Sequence, residues 1–424
     1  MTNAELIAVG SELLTPYRSD TNTLWLTDQL NQAGVRVTRK HVIGDDRIAL
    51  AELFVDAGRR ADIVIACGGL GPTFDDITRE ALADALGLEM EFKQDAWQWI
   101  CDRYGARGRT PTENNKRQAM VPVGAQYVKN EVGTAPGLLL RLDGVIYELL
   151  PGPPIEMTFI FNALKENLFS AIDVKPVFKR IFKMVGVPES AVDDKLGDFP
   201  LPEGMEWSIL AAYGQVEIHF SYAAGSASEA DVVFAQTGKE ILSRFGNFVF
   251  GTDDETLESV AGDLLRTNGH TIAVAESCSG GWLAKRLTDV PGSSDYFLQG
   301  VVTYSNAAKT RLLGVKEETL VKHGAVSKAT ALEMAQGVKE RSTANVGVGI
   351  TGIAGPDGGT EEKPVGLVYI AAIAADGGEC CHAFLFPGDR DKIRYQATQM
   401  ALAMVRMPYV GGEFDSIYIL DRDD

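Results

Sequence analysis

The sequence predicts a multidomain α/β protein: two α/β sandwich domains joined by a small α+β domain. Three observations carry that expectation. At 424 residues the chain is longer than one typical hydrophobic core organises. Residues 1–172 and 255–411 each alternate short apolar strands with helical stretches, the pattern of βα units on a largely parallel sheet. Residues 175–250 break that rhythm with longer, alternating runs of the antiparallel type.

In the first segment Glu5–Val9 reads as a strand, Thr21–Ala33 as a helix and Arg36–Val42 as a strand. Arg47–Arg60 follows as a helix and Asp62–Ala66 as a buried strand. The first and last of these strands run into glycine-bearing loops that open helices, and such loops are where ligands bind in parallel sheets. In the middle segment Val177–Val185 alternates like a strand, and Gly186 and Pro188 precede a short helix. Glu206–Leu210 and Gln215–Tyr222 read as antiparallel strands, and Ser228–Phe245 as a helix. The last segment opens with a helix near Glu255. Thr271–Ala275, Asn345–Ile350 and Val365–Ile373 are its strands, Asp391–Val405 its closing amphipathic helix, and the tail after Pro408 reads as polar and peripheral.

Composition narrows the function classes. A hydrophobic content of 45% with 23% charged residues is that of a soluble globular protein. The net charge of -18 argues against a general phosphate-backbone or anionic-membrane binder, because those gain affinity from clustered Lys and Arg. No apolar run approaches the ~18 residues of a membrane helix. The first ten residues have no basic region before their apolar run, so no secretory signal is expected there. The five cysteines, at 67, 101, 278, 380 and 381, lack metal-type spacing and form a poor disulfide framework, so a reducing cytoplasm fits best. Five histidines make a His-based triad or metal site a weak prospect.

The most informative stretch is Ala275-Glu276-Ser277-Cys278-Ser279-Gly280-Gly281, which sets a small hydroxyl in a glycine-flanked strand-to-helix turn. Such a turn exposes its central side chain, and the amides of the helix start can stabilise an oxyanion. Ser277 or Ser279 serves equally well, on the turn alone, as a helix N-cap. A later segment supplies Tyr304 and, five residues on, Lys309. Lysine acts as a base only when burial or a cationic neighbour lowers its pKa well below ~10.4. Lys309 is expected to start a helix at the sheet edge, partly desolvated; spacing alone also allows a solvated surface lysine. The glycine-rich loop from Thr351 through Gly352, Ala354 and Gly355 to Gly359 permits close backbone approach to a ligand, or serves only as a turn. Arg390 suits a phosphate or carboxylate, or caps a helix.

These stretches carry a resemblance. AESCSGGWLAKRLTDVPGSS, GVVTYSNAAKTRLLGV, HGAVS, GITGIAGPDGGTEEKPVG and FPGDRD resemble the C-terminal domain of the CinA family, whose members deamidate nicotinamide mononucleotide (NMN). The resemblance implies a Ser nucleophile at Ser277 with Lys309 and Tyr304 in support, needing no metal or other cofactor. Ser279 stands where the family often has threonine, which keeps the hydroxyl. On this reading Ser277 attacks the carboxamide, the Gly280 and Gly281 amides hold the oxyanion, and Lys309 shuttles the proton. Thr351, Gly352, Ala354, Gly355 and Arg390 complete the substrate site.

The N-terminal segment has its own constellation, Gly68-Gly69-Leu70-Gly71-Pro72-Thr73-Phe74-Asp75-Asp76 after a buried strand. Consecutive glycine amides can cradle phosphate, Thr73 adds a hydroxyl, and Asp75 with Asp76 can hold a divalent cation against it. The same residues also make a glycine turn whose aspartates cap a helix. Gly10 and Glu12 end the first strand, and Asn22 opens the next helix. This pattern resembles the molybdopterin-binding fold that molybdenum-cofactor enzymes share with the CinA N-terminal domain. The resemblance implies a metal-dependent ADP-ribose pyrophosphatase, with Asp75 and Asp76 as metal ligands and general base. It further implies a divalent ion of the magnesium or cobalt type, with a monovalent cation as companion. Thr15 and Pro16 depart from the family, which often has glycine there, and stiffen the loop.

The middle segment resembles the family's KH-like module but contains no Gly-x-x-Gly, the loop with which KH domains grip RNA, so a structural spacer is expected. The leading expectation is a cytoplasmic nucleotide-salvage enzyme acting on NMN and ADP-ribose, a homodimer by family resemblance, free of membrane and nucleic acid. The alternatives are a molybdopterin-handling protein and a competence- or DNA-damage-associated binding protein.

Overall fold

The computed structural model describes residues 2–170, 172, 174–212, 214–412 and 414–420. The chain divides into two compact units, one of residues 1–178 with 223–230, the other of 179–222 with 231–424.

The first unit runs β1 (Asn3–Val9), α1 (Asn22–Gln32), β2 (Arg36–Ile43), α2 (Arg47–Gly58), β3 (Ile63–Cys67), α3 (Thr78–Leu86), β4 (Met90–Phe92), α4 (Gln94–Gly105), β5 (Met120–Pro122), β6 (Gln126–Val128), β7 (Gly137–Leu142), β8 (Val145–Leu150) and α5 (Pro154–Phe169). Its main sheet has the order β2-β1-β3-β8-β7-β6. The first four strands are parallel, and the β8–β7 and β7–β6 pairs are antiparallel. Alternation along β3 builds two cores. Ile63, Ile65 and Cys67 pack with Leu26 of α1 and Phe161 of α5, whereas Val64 and Ala66 pack with Phe54 of α2 and Leu82 of α3. That is why β3 is apolar throughout rather than alternating: both of its faces are covered.

Ionisable side chains interrupt this core. Glu5, on β1, is fully buried, and its carboxylate accepts from Arg60 at 2.8 and 2.9 Å, from Arg39 at 3.1 Å and pairs with His41 at 2.9 Å.

A four-stranded sheet, most of whose residues belong to the second unit, has the order β10-β11-β9-β12, from β9 (Val177–Val185), β10 (Met205–Ala212), β11 (Gln215–Ala223) and β12 (Val249–Thr252). Helices α6 (Glu189–Leu196) and α7 (Ala227–Phe245) accompany it in sequence. The expected strands and helices of the middle segment are all present, with bounds moved by at most a few residues.

The same unit continues with α8 (Leu257–Thr267), β13 (Ile272–Glu276), α9 (Trp282–Asp289), β14 (Phe297–Val302), α10 (Asn306–Leu313), α11 (Glu317–His323), α12 (Lys328–Ser342), β15 (Val346–Gly352), β16 (Leu367–Ile373), β17 (Glu379–Leu385), α13 (Arg390–Val410) and β18 (Ile419–Leu420). The sheet order is β14-β13-β15-β16-β17-β18, parallel over the first three strands and antiparallel over the rest. The carboxyl ends of β13, β14 and β15 therefore share one edge, where their loops meet. Behind it, Arg286 of α9 is buried and donates to Thr398 at 2.9 Å and to Glu258 at 2.6 Å, tying α9 to α13 and α8.

The end of the chain corrects the sequence reading. The closing helix does not stop at Val405 but runs through Pro408 to Val410. The tail is not peripheral: β18 adds a strand to the sheet, the Phe414 ring lies 6.2 Å from Phe384, and Tyr418 lies 5.6 Å from Phe386. Its few apolar residues cover the end of an otherwise open core, which a composition average hides.

The Arg60 guanidinium, helped by His41 and Arg39, outweighs burial and holds the Glu5 carboxyl at about 2 against its ordinary 4.5. A lowered carboxyl pKa contributes stability above the unfolded value and loses it as pH falls through the folded one. The first unit should therefore destabilise progressively from pH 4.5 towards pH 2. Glu5→Gln should cost roughly 2–3 kcal/mol at pH 7 and flatten that acid slope. Urea unfolding of both proteins at stepped pH checks this; equal slopes would refute it.

Candidate functional site

Strand β13 delivers the site. It is apolar from Ile272 to Ala275 and then places Glu276 and Ser277 at its carboxyl end. The Ser277 amide still bonds to Ile350 of β15 at 2.9 Å, so the nucleophile candidate is anchored to the sheet. The chain then turns sharply through Gly280 and Gly281, with φ of 66° and 90°, values side-chain-bearing residues rarely adopt.

Lys309 lies in the second turn of α10, further into that helix than the sequence suggested, and is 1% exposed. Its Nζ donates to Ser277 Oγ at 3.1 Å and to the Thr303 carbonyl at 2.8 Å. Burial pushes its pKa down from the lysine value. A serine hydroxyl within hydrogen-bond reach of a depressed lysine is the arrangement that nucleophilic catalysis with a lysine base would require. The neighbouring Cys278 is no competitor. Burial pushes its thiol up to about 12, which leaves no thiolate at neutral pH.

A pocket of about 260 Å³ opens on this pair and is lined by Ser277, Tyr304, Lys309, Thr351, Gly352, Ala354, Gly355 and Arg390 among others. Arg390 donates to the Gly355 carbonyl at 2.6 Å and to the Tyr304 hydroxyl at 3.2 Å, bridging two walls. Its helix is capped instead by Asp389, which accepts from the Lys392 amide at 2.9 Å. Thr351 is buried and donates to the Ala325 carbonyl at 2.7 Å. Gly352 is required by packing, since a Cβ there would sit 2.6 Å from the Leu367 carbonyl.

Two expected roles change. Tyr304 is 66% exposed, and among the described residues its hydroxyl bonds to Arg390, not to Ser277 or Lys309. It lines the pocket and is not bonded to the Ser277–Lys309 pair. Gly280 and Gly281 do not line the pocket, and their amides are already taken. Gly280 donates to the Ser277 carbonyl at 3.2 Å and Gly281 to Glu276 at 3.0 Å. The turn consumes the donors that its glycine content suggested were free.

Sequence reasoning gave no role to Glu276, Thr303 or Lys363. Glu276 is buried and takes three amides of the α9 start. Lys363 donates to the His323 and Val326 carbonyls at 2.8 and 2.7 Å and fixes the segment before α12. A carboxylate closing an apolar strand was the available signal for the first; backbone carbonyls leave none for the others.

In the first unit, the ends of β1, β3 and β8 frame a pocket of about 320 Å³ lined by Gly10, Glu12, Asp45, Gly68, Gly69, Thr73, Asp75, Asp76 and Glu156 among others. Two arginines hold its glycine loop from outside. Arg79 is fully buried and donates to the Leu70 carbonyl at 2.6 Å and to the Gly71 carbonyl at 3.0 Å. Arg117 donates to the Thr73 and Asp76 carbonyls and to Glu80. Neither was visible as a functional signal, because each acts on backbone carbonyls.

Asp76 does not act as a free ligand. Its carboxylate accepts from the Gly71 and Thr73 amides at 2.7 and 2.8 Å and from the Thr73 hydroxyl at 2.5 Å. Asp75 is exposed and receives the Thr73 hydroxyl. Asn22 is not in the pocket wall; it donates to Cys67 Sγ at 3.1 Å and to the Gly152 carbonyl at 2.7 Å, stapling two loops. Among the described residues no three His, Cys, Asp or Glu side chains assemble to hold a metal ion. The set fits a hard cation only where one or two carboxylates share it with substrate phosphates. A larger apolar cavity of about 570 Å³, lined by Met404, Met407, His382 and Phe414, borders the end of α13, and burial pushes its Cys380 thiol up.

All three segments of the chain match known families. Residues 254–408 match the model of the CinA C-terminal domain, residues 5–170 that of a probable molybdopterin binding domain, and residues 179–251 that of the damage-inducible protein CinA KH domain. A CinA-like protein of Koribacter versatilis is 44% identical over 95% of this chain and 99% of its own length. A putative competence-damage inducible protein of Moorella thermoacetica is 44% identical over 95% and 97%. The crystal structure of competence/damage inducible protein CihA from Agrobacterium tumefaciens is 43% identical over 36% of this chain and 94% of its own, with a TM-score of 0.34.

The buried lysine yields a stability test. A lysine whose folded pKa is lowered binds fewer protons folded than unfolded across the window up to ~10.4, so stability rises with pH there. Lys309→Met should remove that rise, so that the wild type gains on the variant as pH climbs from 7 towards 10. Denaturant midpoints at those pH values check it; a constant difference would refute the buried-base assignment.

Proposed function

The chain belongs to the CinA family of competence-damage inducible proteins, and on that footing we propose that its C-terminal domain hydrolyses the carboxamide of NMN to nicotinic acid mononucleotide and ammonia. The observation that supports this most is the 3.1 Å approach of Lys309 Nζ to Ser277 Oγ inside a buried, depressed-lysine environment.

Neutral Lys309 accepts the Ser277 proton as Oγ adds to the carboxamide carbon, and the carbonyl π pair moves to oxygen. The tetrahedral adduct collapses, the C–N bond breaks, and the Lys309 ammonium returns the proton to the departing nitrogen as ammonia. Water then adds to the acyl-enzyme with Lys309 again as base, and Ser277 is released. The Thr303 carbonyl holds Nζ in line throughout, because it accepts one Nζ proton that the reaction does not use. Arg390 at the pocket mouth supplies a fixed cation for the substrate phosphate.

Ser277→Ala should abolish NMN-dependent ammonia release by roughly 10³-fold or more while leaving NMN binding within a few-fold. The wild-type rate should rise with pH along a limb set by Lys309, below the ordinary lysine value. Coupled ammonia assay and isothermal titration check both; a Ser277→Ala enzyme at the wild-type rate would sink the nucleophile assignment, and a wild type that releases no ammonia from NMN would sink the reading.

For the first unit we propose a nucleotide pyrophosphate pocket, with ADP-ribose as the probe substrate. The glycine loop pinned by Arg79 and Arg117, beside the exposed carboxylate of Asp75, favours it. No Lys or Arg is among its described lining residues, so a divalent cation carried with the phosphates must neutralise them. AMP release from ADP-ribose should require added magnesium or cobalt ions and fall at least about tenfold in Asp75→Asn. Tight pterin binding with no AMP release would favour a molybdopterin-handling role instead.

A further inference from the structure

The most unusual buried group near the proposed amidase site is not one of the reacting pair. Glu276 immediately precedes Ser277, is 1% exposed, and carries a carboxylate inside an otherwise apolar strand end. Its Oε2 accepts from the Gly281 amide at 3.0 Å and the Leu283 amide at 3.1 Å, and its Oε1 from the Ala284 amide at 2.8 Å. Three of the four orphan donors of a helix start are thus satisfied by one side chain. Arg394 holds the same turn from the other side, donating to the Ser279 carbonyl at 3.0 Å. The Glu276 backbone carbonyl meanwhile accepts from the Thr303 amide at 2.8 Å, so one residue touches both the Ser277 turn and the segment whose carbonyl holds Lys309.

This has a chemical consequence. In many hydrolases with a nucleophile on a strand-to-helix turn, the helix start receives the oxyanion. Here that helix start already holds an anion. The facing wall presents the opposite situation. Ala354 and Gly355 are buried and line the pocket, and among the described residues neither backbone N–H has an acceptor. Backbone amides that line a pocket and have no protein acceptor are free to receive a ligand oxygen.

We propose that Glu276 is the positioning residue of the Ser277 turn, and that the Ala354 and Gly355 amides receive the oxyanion across the pocket. The proposal rests on the amidase reading. As the Ser277 Oγ–carbon bond forms, its proton passes to Lys309 and the π pair of the carbonyl moves onto the oxygen facing these two amides. Collapse returns that pair, breaks the C–N bond and sends the Lys309 proton to the leaving nitrogen. Glu276 takes no part in these transfers; its carboxylate holds the α9 amides and keeps Oγ in reach of Nζ.

The experiment compares full-length wild type, Glu276→Gln, Glu276→Asp and Ser277→Ala with NMN, and determines a crystal structure of the wild type carrying a Ser277 adduct of pyridine-3-carboxaldehyde. Glu276→Gln replaces an acceptor oxygen with a donor NH₂ facing amide donors, so the turn opens. The expected result is a kcat lower by about 100-fold with KM within about twofold, measured 20 °C below the variant's own Tm, with Glu276→Asp intermediate. In the adduct the hemiacetal oxygen should lie within hydrogen-bond distance of the Ala354 or Gly355 nitrogen. A wild-type kcat in Glu276→Gln overturns the positioning role, as does a loss that disappears once the assay is moved away from Tm. An adduct oxygen on the α9 amides overturns the oxyanion assignment. If the wild type releases no ammonia from NMN, the amidase reading itself has failed; if Ser277→Ala turns over normally, the nucleophile assignment has failed; both outcomes are separable from the other two. Should Glu276→Gln not fold, Glu276→Asp and the adduct structure still decide.

Discussion

A lysine ammonium buried in a protein interior is costly, and the second unit is organised around making that burial tolerable. Lys309 keeps two acceptors, the Ser277 hydroxyl and the Thr303 carbonyl, and is otherwise removed from water. With a lowered pKa the group need not remain charged, which is how buried lysines escape the desolvation penalty. The same escape turns it into a base. Stability and proposed chemistry are two consequences of one placement: α10 must present Lys309 inward, and β13 must end at Ser277 beside it.

The surrounding polar contacts follow from that requirement. Glu276 fixes the turn from within, Arg394 holds the Ser279 carbonyl, and Arg390 bridges Tyr304 to Gly355. Each acts on backbone or on another wall of the pocket, so the site is rigid before any ligand arrives. Preorganisation of this kind is the main source of electrostatic stabilisation in acyl transfer. The first unit repeats the theme with different parts. Arg79 and Arg117 bind carbonyls of a glycine loop, and Asp76 binds its amides, while the Asp75 carboxylate beside them is exposed.

Much of this was legible in the sequence. The apolar runs marked β1, β3, β13 and β15, because strands buried on both faces need continuous hydrophobicity. Glycines at Gly68, Gly69, Gly280 and Gly281 marked turns, because their positive φ angles disfavour other residues. Ser277 and Lys309 were nameable because they sit in long, specific motifs. The tail after Pro408 was misread, since Phe414 and Tyr418 are few among polar neighbours yet each lands on a core aromatic. Tyr304 was named for the reacting centre and stands at the pocket mouth.

By itself the sequence determined which elements form, where the chain must turn and which side chains have reactive chemistry, because periodicity, glycine and functional groups are local properties. Only the tertiary structure decided which of those groups are free. The Gly281 amide and the Asp76 carboxylate were candidate ligands until folding brought Glu276 to the one and the loop amides to the other. A hydrogen bond spends a donor or acceptor, and its partner is set by three-dimensional approach that composition and spacing do not encode. The same holds for Lys309: its charge is written in the chain, but its value as a base comes from the burial that the fold imposes.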